Sequence, residues 1–192
     1  YSIRPAVGQK YYFSINGRPK AVQYFFSLGY NNKNGIIRNT GVEQYTMRLN
    51  LDKNISKTFK VGTRTGISYI NSNMPSGANA NRNNAAGSLI RSMLTYRPFM
   101  KLDGDEEEDP DVDEETFVSG PDKWLKYFIN KRETLRITPS IYLQWQIVPW
   151  LTFKSTLGGD YSSAEFTRWK SRVISSLTGS IGSTNHFDNF RY

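Results

Sequence analysis

Long segments in which apolar and polar residues strictly alternate are the feature that most restricts how this chain folds. Between residues 43 and 53, every second position is apolar, namely Tyr45, Met47, Leu49 and Leu51. The positions between them are polar or charged, and the segments 22–31 and 59–69 follow the same pattern with few exceptions. A period of two over such lengths predicts β-strands with one apolar face.

The alternation predicts an all-β chain. The predicted strands lie at about 11–16, 22–31, 43–53, 58–70, 134–147, 150–161 and 188–192, and the first and last are weaker than the others. Their usual length of roughly 9–13 residues exceeds the five or six typical of soluble sheets, and it fits a tilted crossing of a lipid bilayer.

The connections between the predicted strands alternate in length. Those at 17–21, 54–57 and 148–149 are tight turns, whereas those at 32–42, 71–133 and 162–187 are long and are predicted to be extracellular. Short turns on one side and long loops on the other are typical of outer-membrane proteins. The predicted fold is therefore an antiparallel transmembrane β-barrel segment with long extracellular loops, in the outer membrane of a Gram-negative cell.

Composition is compatible with a barrel and excludes several other classes. Only 38% of the residues are hydrophobic and the mean hydropathy is −0.58, as expected when each strand has a single apolar face. The chain lacks the run of about 18–20 apolar residues that a membrane-spanning helix needs. It has no cysteine, which excludes disulfide bonds and Cys-ligated metals.

Aromatic residues are placed where an apolar barrel face would meet lipid headgroups. Tyr30, Tyr45, Tyr69 and Tyr161 each lie on the apolar side of a strand, next to a long connection. Trp145 lies on the apolar side at the opposite end of its strand. Tyr and Trp are enriched at both membrane interfaces, so these five residues are the predicted girdle.

A dense acidic run lies inside the loop 71–133. It extends from Asp103 to Glu115 and holds 10 of the 17 acidic residues, although the whole chain has a formal charge of +8. Asp103, Asp105 and Asp109 are candidate ligands for Ca²⁺, which prefers carboxylate oxygens. The run lacks the full spacing of an EF-hand, and a solvated acidic segment is the alternative. No other cofactor is expected.

The sequence gives no support for catalysis or for nucleic-acid binding. Its single histidine, His186, has only Asp188 as a nearby acid, which does not make a catalytic triad. The paired carboxylates of a glycosidase cannot be assigned. The basic residues form no pattern typical of nucleic-acid recognition. We therefore expect a protein that is not an enzyme.

Two other kinds of protein remain as alternatives. A soluble carbohydrate-binding β-sandwich also has alternating strands, but it needs about seven short strands with turns every 8–12 residues. A passive outer-membrane porin has the same strands as an active transporter, and it differs in lacking a plug domain and energy coupling.

Particular motifs resemble those of SusC-like (SusC/RagA) TonB-dependent transporters of the Bacteroidetes. The most specific is the unit formed by Val22-Gln-Tyr-Phe-Phe-Ser-Leu-Gly-Tyr, Asn34-Gly-Ile-Ile-Arg-Asn-Thr-Gly and Tyr45-Thr-Met-Arg-Leu-Asn-Leu-Asp. Similar motifs follow at Phe59-Lys-Val-Gly, Arg97-Pro-Phe-Met-Lys-Leu-Asp-Gly and Leu151-Thr-Phe-Lys-Ser-Thr-Leu-Gly-Gly-Asp-Tyr. The acidic run and the loop 162–187 are less similar to the family.

The resemblance implies a barrel of 22 strands around an N-terminal plug domain, of which this chain would supply about seven strands. The plug domain is not in this sequence and is expected to precede Tyr1 in a longer parent chain. The implied partners are a SusD-like surface lipoprotein, TonB, outer-membrane lipid and a glycan or peptide substrate. Dimers of such barrel–lipoprotein pairs are also compatible with it.

Within such a barrel, the charged strand residues are expected to point into the lumen. Exposing Arg or Lys to lipid at the bilayer midplane costs about 2–4 kcal/mol. Arg48, Arg64, Arg136 and Lys154 would then pair with Asp52, with Asp160 or with the plug domain, or else contact substrate. In the long loop, Tyr96, Phe99 and Trp124 are candidates for contacting the substrate or the lipoprotein lid.

Overall fold

The computed structural model describes residues 3–73, 125–171 and 181–192. They form one antiparallel sheet of eight strands. The strands are β1 Gly8–Gly17, β2 Val22–Asn34, β3 Gly41–Asn54, β4 Phe59–Asn73, β5 Phe128–Val148, β6 Leu151–Gly158, β7 Asp160–Lys170 and β8 Ile181–Arg191. The predicted antiparallel all-β fold is confirmed.

Strands that are adjacent in the chain are also adjacent in the sheet. The order is β1-β2-β3-β4-β5-β7-β8, and β6 pairs with the other half of β5. The sheet thus has the seven strand positions expected from the sequence. We call the edge at the connections 18–21, 55–58 and 149–150 the short-turn end, and the opposite edge the long-loop end.

The predicted strand at 150–161 is interrupted where it was expected to be continuous. Gly159 separates β6 from β7, and its N–H donates to the carbonyl of Pro139 at 2.9 Å. In an antiparallel ladder the opposite residue normally returns such a bond. Proline has no N–H to donate, so the ladder is broken there and resumes in β7.

Several strands extend further toward the long-loop end than predicted. β5 begins at Phe128 where 134 was predicted, and β7 and β8 occupy much of the expected loop 162–187. Lys131, Glu133 and Glu165 end the apolar pattern but keep their backbone pairing, as in the register pairs Glu133↔Asn71 and Glu133↔Glu165. Apolar side chains therefore mark the predicted lipid-facing part of a strand, whereas backbone pairing determines where the strand ends.

The described sheet has almost no hydrophobic core. Among the described residues, Tyr142 is the only buried hydrophobic side chain, while many large apolar side chains are exposed. A soluble β-sandwich buries the inner faces of two packed sheets against each other. The eight described strands form a single sheet, which is incompatible with the β-sandwich alternative.

Helices contribute little to the described part of the chain. Residues 125–127 are helical, and no helix among the described residues is long and apolar enough to cross a membrane.

Neighbouring residues of β3 provide a test of which face meets lipid. Leu49 lies on the apolar face and Asn50 on the polar face. We expect Leu49→Arg to lower the free energy of unfolding by about 2–4 kcal/mol, because the new charge faces hydrocarbon. Urea unfolding of the protein in lipid vesicles measures this change.

Asn50→Arg is the matched control. It is expected to cost less than about 1 kcal/mol, because its main new interaction is repulsion from Arg64 on the adjacent strand. Equal destabilisation by the two substitutions would contradict the assignment of the faces.

Candidate functional site

The two faces of the sheet differ sharply in their side chains. The outer face carries most of the exposed apolar residues, including Phe13, Leu28, Leu49, Ile141 and Phe153. Its register rows join apolar residues across strands, as in Phe13↔Leu28↔Met47↔Ile67↔Ile137. The inner face is the opposite one, and it is mainly polar.

Positive charge is concentrated on the inner face. The Lys and Arg residues of the strands on that face are Lys10, Lys33, Arg48, Lys60, Arg64, Arg132, Arg136, Lys154, Arg168, Lys170 and Arg191. The acidic strand residues on it are Asp52 and Asp160. On the outer face the charged strand residues are Glu43, Lys53, Lys131, Glu133, Glu165 and Asp188. The predicted inward direction of Arg48, Arg64, Arg136 and Lys154 agrees with this arrangement.

A row of tyrosines crosses four strands of the outer face near the long-loop end. Tyr11, Tyr30, Tyr45 and Tyr69 are register neighbours, and successive ring centroids are 6.1, 5.0 and 6.3 Å apart. The hydroxyls of Tyr30 and Tyr45 both donate to Glu43, at 2.9 and 2.8 Å. The row therefore combines neighbouring aromatic rings with hydroxyls that hydrogen-bond to Glu43, toward the long-loop end.

Three of the predicted girdle residues belong to this row, and two lie elsewhere. Tyr161 lies between Ile137 and Phe190, two residues further from the long-loop end, and its hydroxyl donates to Asp188 at 3.1 Å. Trp145 lies between Phe59 and Phe153 near the short-turn end. Tyr11 was not among the predicted girdle residues, because the alternation in its strand is weak.

Tyr142 is the centre of a polar cluster on the inner face. Its ring covers Gly62 of β4, where any Cβ would collide with the ring and with Asp52. The Tyr142 hydroxyl donates to Asp52 Oδ1 at 2.6 Å, and Lys60 Nζ lies 3.2 Å from Asp52 Oδ2. An aromatic ring over a strand glycine fills the space left by the missing side chain and fixes the register.

Cations surround the ring of Tyr142. Lys60, Arg64 and Lys154 lie 5.9, 5.3 and 5.4 Å from its centroid. Such distances are within the range of cation–π attraction. The ring and Asp52 together allow three basic residues to share a small area of the inner face.

Both aspartates of the inner face bind other side chains of this same chain. Asp52 is held by Tyr142 and Lys60, and Asp160 accepts both guanidinium bonds of Arg136, the Nε bond at 2.9 Å. The expected pairing with Asp160 is present for Arg136, whereas the cation paired with Asp52 is Lys60, which was not among the predicted residues. Among the described residues, no carboxylate lies within 4.0 Å of Arg48, Arg64 or Arg191.

A shallow hollow lies between these arginines. Its volume is about 600 Å³, and its lining includes Arg48, Arg64, Arg191, Gly66, Gly158 and Ser140. We call it the arginine hollow. Gly66 and Gly158 carry no side chains of their own, and Thr138 and Ser140 of β5 lie against these positions. The side chains of Arg48, Arg64 and Arg191 are exposed.

Aromatic and basic residues also meet on the inner face near the long-loop end. Arg132 lies 4.7 Å from the centroid of Phe166, whose ring meets Phe187 edge-on at 5.8 Å. Arg168 lies 5.7 Å from the centroid of Phe128. This cluster was not predicted, because Phe166 and Phe187 fall in the predicted loop 162–187.

The other predicted site residues lie outside the described residues. These are the loop aromatics Tyr96, Phe99 and Trp124, and the calcium candidates Asp103, Asp105 and Asp109. Within the described ranges, no group of three or more His, Cys, Asp or Glu side chains is arranged to hold a metal ion. The calcium hypothesis for the acidic run is therefore still a prediction.

The Tyr142 cluster gives a stability prediction. Tyr142→Phe is expected to lower the free energy of unfolding by about 1–2 kcal/mol, because the partly buried carboxylate of Asp52 loses the hydrogen bond from the Tyr142 hydroxyl. Tyr24→Phe is the matched control, since Tyr24 also covers a strand glycine, Gly17, and has no hydrogen-bond partner for its hydroxyl among the described residues. Equal urea midpoints for the two variants would show that the Asp52 hydrogen bond contributes nothing.

Two TonB-dependent receptors of Formosa agariphila are similar to this chain in sequence. Receptor P26 is 44% identical over 57 residues, which are 30% of this chain and 6% of the receptor. Receptor P39 is 24% identical over 159 residues, which are 81% of this chain and 14% of the receptor. No protein-family model matches the chain.

Solved structures show the same fold. The RagAB peptide importer in its closed-closed state matches with a TM-score of 0.66 and 19% identity, over 93% of this chain and 20% of the importer chain. A structure of the RagAB peptide transporter matches with a TM-score of 0.64 and 16% identity, over 94% and 20% of the two chains.

This chain spans only 6% and 14% of the two curated receptors and 20% of the matched structures. The matching region of the importers nevertheless covers nearly all of it. The comparisons confirm the resemblance to SusC-like TonB-dependent receptors, and the sheet is a segment of the wall of an outer-membrane β-barrel.

Proposed function

We propose that this chain is part of the barrel subunit of a transporter that imports oligosaccharides or peptides across the outer membrane, with energy supplied through TonB. The observation that supports the proposal most is the division of a single sheet into an apolar outer face and a charged inner face. The outer face suits lipid, and the inner face suits a polar lumen through which solutes pass.

The similar proteins agree with import. Those named above are TonB-dependent receptors and a peptide importer, and they are not enzymes. The matched importer is a peptide importer, whereas the two receptors are named without a substrate. Both substrate classes therefore belong to the proposal.

We further propose an arrangement of partners around the barrel. A SusD-like lipoprotein covers the long-loop end, TonB acts from the periplasmic side, and pairs of such complexes form dimers. Tyr30, Tyr45, Tyr69, Tyr161 and Trp145 lie at the membrane interfaces as the girdle. The exposed rings of Tyr45 and Trp145 and the hydroxyl contacts of Tyr30, Tyr45 and Tyr161 suit the boundary between hydrocarbon and headgroups.

TonB dependence separates active import from a passive porin. Cells producing the full-length protein should accumulate labelled oligosaccharides or peptides only when TonB is present. We expect uptake to fall to the level of cells lacking the transporter when TonB is deleted. Uptake that continues unchanged without TonB would favour the passive porin.

A substitution at Trp124 tests the proposed contact of the long loop with substrate or lipoprotein. We expect Trp124→Ala to weaken substrate binding or lipoprotein association by roughly tenfold, because aromatic side chains dominate such contacts. Trp150→Ala, at the short-turn end where the side chain is 83% exposed, is the matched control. Unchanged substrate affinity and unchanged lipoprotein association in Trp124→Ala would remove this residue from the proposed contact site.

A further inference from the structure

The inner face carries more positive charge than its own carboxylates neutralise. Its two strand aspartates, Asp52 and Asp160, already have partners in Lys60, Tyr142 and Arg136. The guanidinium groups around the arginine hollow are left without an ion pair among the described residues.

The hollow is long in the direction across the strands. Arg48, Gly66, Thr138, Asp160 and Arg191 occupy one row over five strands. Four strand spacings give a length of about 19 Å. Arg64 lies on the same face, two residues nearer the short-turn end than Gly66, and widens the basic area. The row matches the length of about five or six residues of an extended peptide.

The exposed arginines are suited to oxyanions. The guanidinium group presents several N–H donors in a planar fork that binds carboxylate or sulfate oxygens in pairs. Arg48 and Arg64 are exposed on neighbouring strands, and Gly66 beside them has no side chain of its own, with the Thr138 hydroxyl as the group next to it. Clustered positive charge on a concave wall also raises the local concentration of anions.

We propose that the arginine hollow binds the acidic groups of a substrate that carries several carboxylates or sulfates along an extended chain. This inference rests on the proposed import function and specifies its substrate class. The shared chemistry is the oxyanion, which a uronate sugar, a sulfated sugar or an acidic peptide can supply. Carboxylates of the plug domain are the competing occupant.

Binding measurements on the full-length transporter, purified with its lipoprotein partner if one is present, test the inference. The probes are an oligogalacturonate, a sulfated carrageenan oligosaccharide, a pentaglutamate peptide and neutral maltohexaose. We expect at least one acidic probe to bind roughly tenfold or more tightly than maltohexaose, with an affinity that decreases as salt rises. The probe that binds best distinguishes the carboxylate, sulfate and peptide sources.

Substitutions in the hollow test the site itself. The double substitution Arg48→Gln and Arg64→Gln should weaken the preferred acidic probe by roughly tenfold or more and leave maltohexaose unaffected. Lys53→Gln removes one positive charge from the outer face and should leave acidic-probe binding unchanged. Arg191→Gln provides a second variant on the opposite side of the hollow.

Several outcomes would overturn the inference. Binding of none of the acidic probes, or equal binding of maltohexaose, would do so. So would a double variant with unchanged affinity. If that variant also lowers the thermal stability of the ligand-free protein, the arginines hold the plug domain instead. Loss of TonB dependence with intact acidic binding would count against the proposed import function and leave this inference standing.

Discussion

The backbone groups of each strand in the described sheet pair with those of neighbouring strands, and among the described residues no second layer of protein packs on the outer face. Backbone groups in hydrocarbon must be paired within the protein, which an antiparallel ladder achieves. The remaining requirement is that the outer side chains be stable without water. Leu49, Ile141, Leu157 and Phe153 meet it in a bilayer, whereas in water their exposure would be unfavourable.

The inner face of the same strands carries polar and charged side chains that suit contact with water. Because successive side chains alternate between faces, each apolar outer position brings a polar inner position with it. Tyr142 places an aromatic ring among these polar positions by covering Gly62 and hydrogen-bonding Asp52. Arg136 and Asp160 join β5 to β7 near the break at Gly159. These contacts support the register around the arginine hollow, whose guanidinium groups have no ion pair with another described residue.

Alternation was sufficient to predict the antiparallel all-β fold and the face on which most strand residues lie. It gave the directions of Tyr30, Tyr45 and Tyr69, whose contact across strands follows once the hairpins are paired. It did not give the start of β5, because Lys131 and Glu133 interrupt the apolar pattern while backbone pairing continues. Tyr142 is an exception to the alternation, because it places an aromatic ring on the polar inner face. Its pairing with Gly62 on the neighbouring strand explains this position. Gly62 and Tyr142 lie on neighbouring strands but are separated by the whole long connection between β4 and β5, so they cannot be matched until the register is known.

The central claim is that one face of this sheet contacts lipid and the other contacts the aqueous lumen. The most direct test is a nitroxide scan of single-cysteine variants over residues 43–53 of the full-length, otherwise cysteine-free protein in lipid vesicles. Collision rates with oxygen, which partitions into lipid, should peak at 45, 47, 49 and 51. Collision rates with a water-soluble nickel complex should peak at the positions between them. Two profiles that rise and fall together, or that lack a period of two, would contradict the account.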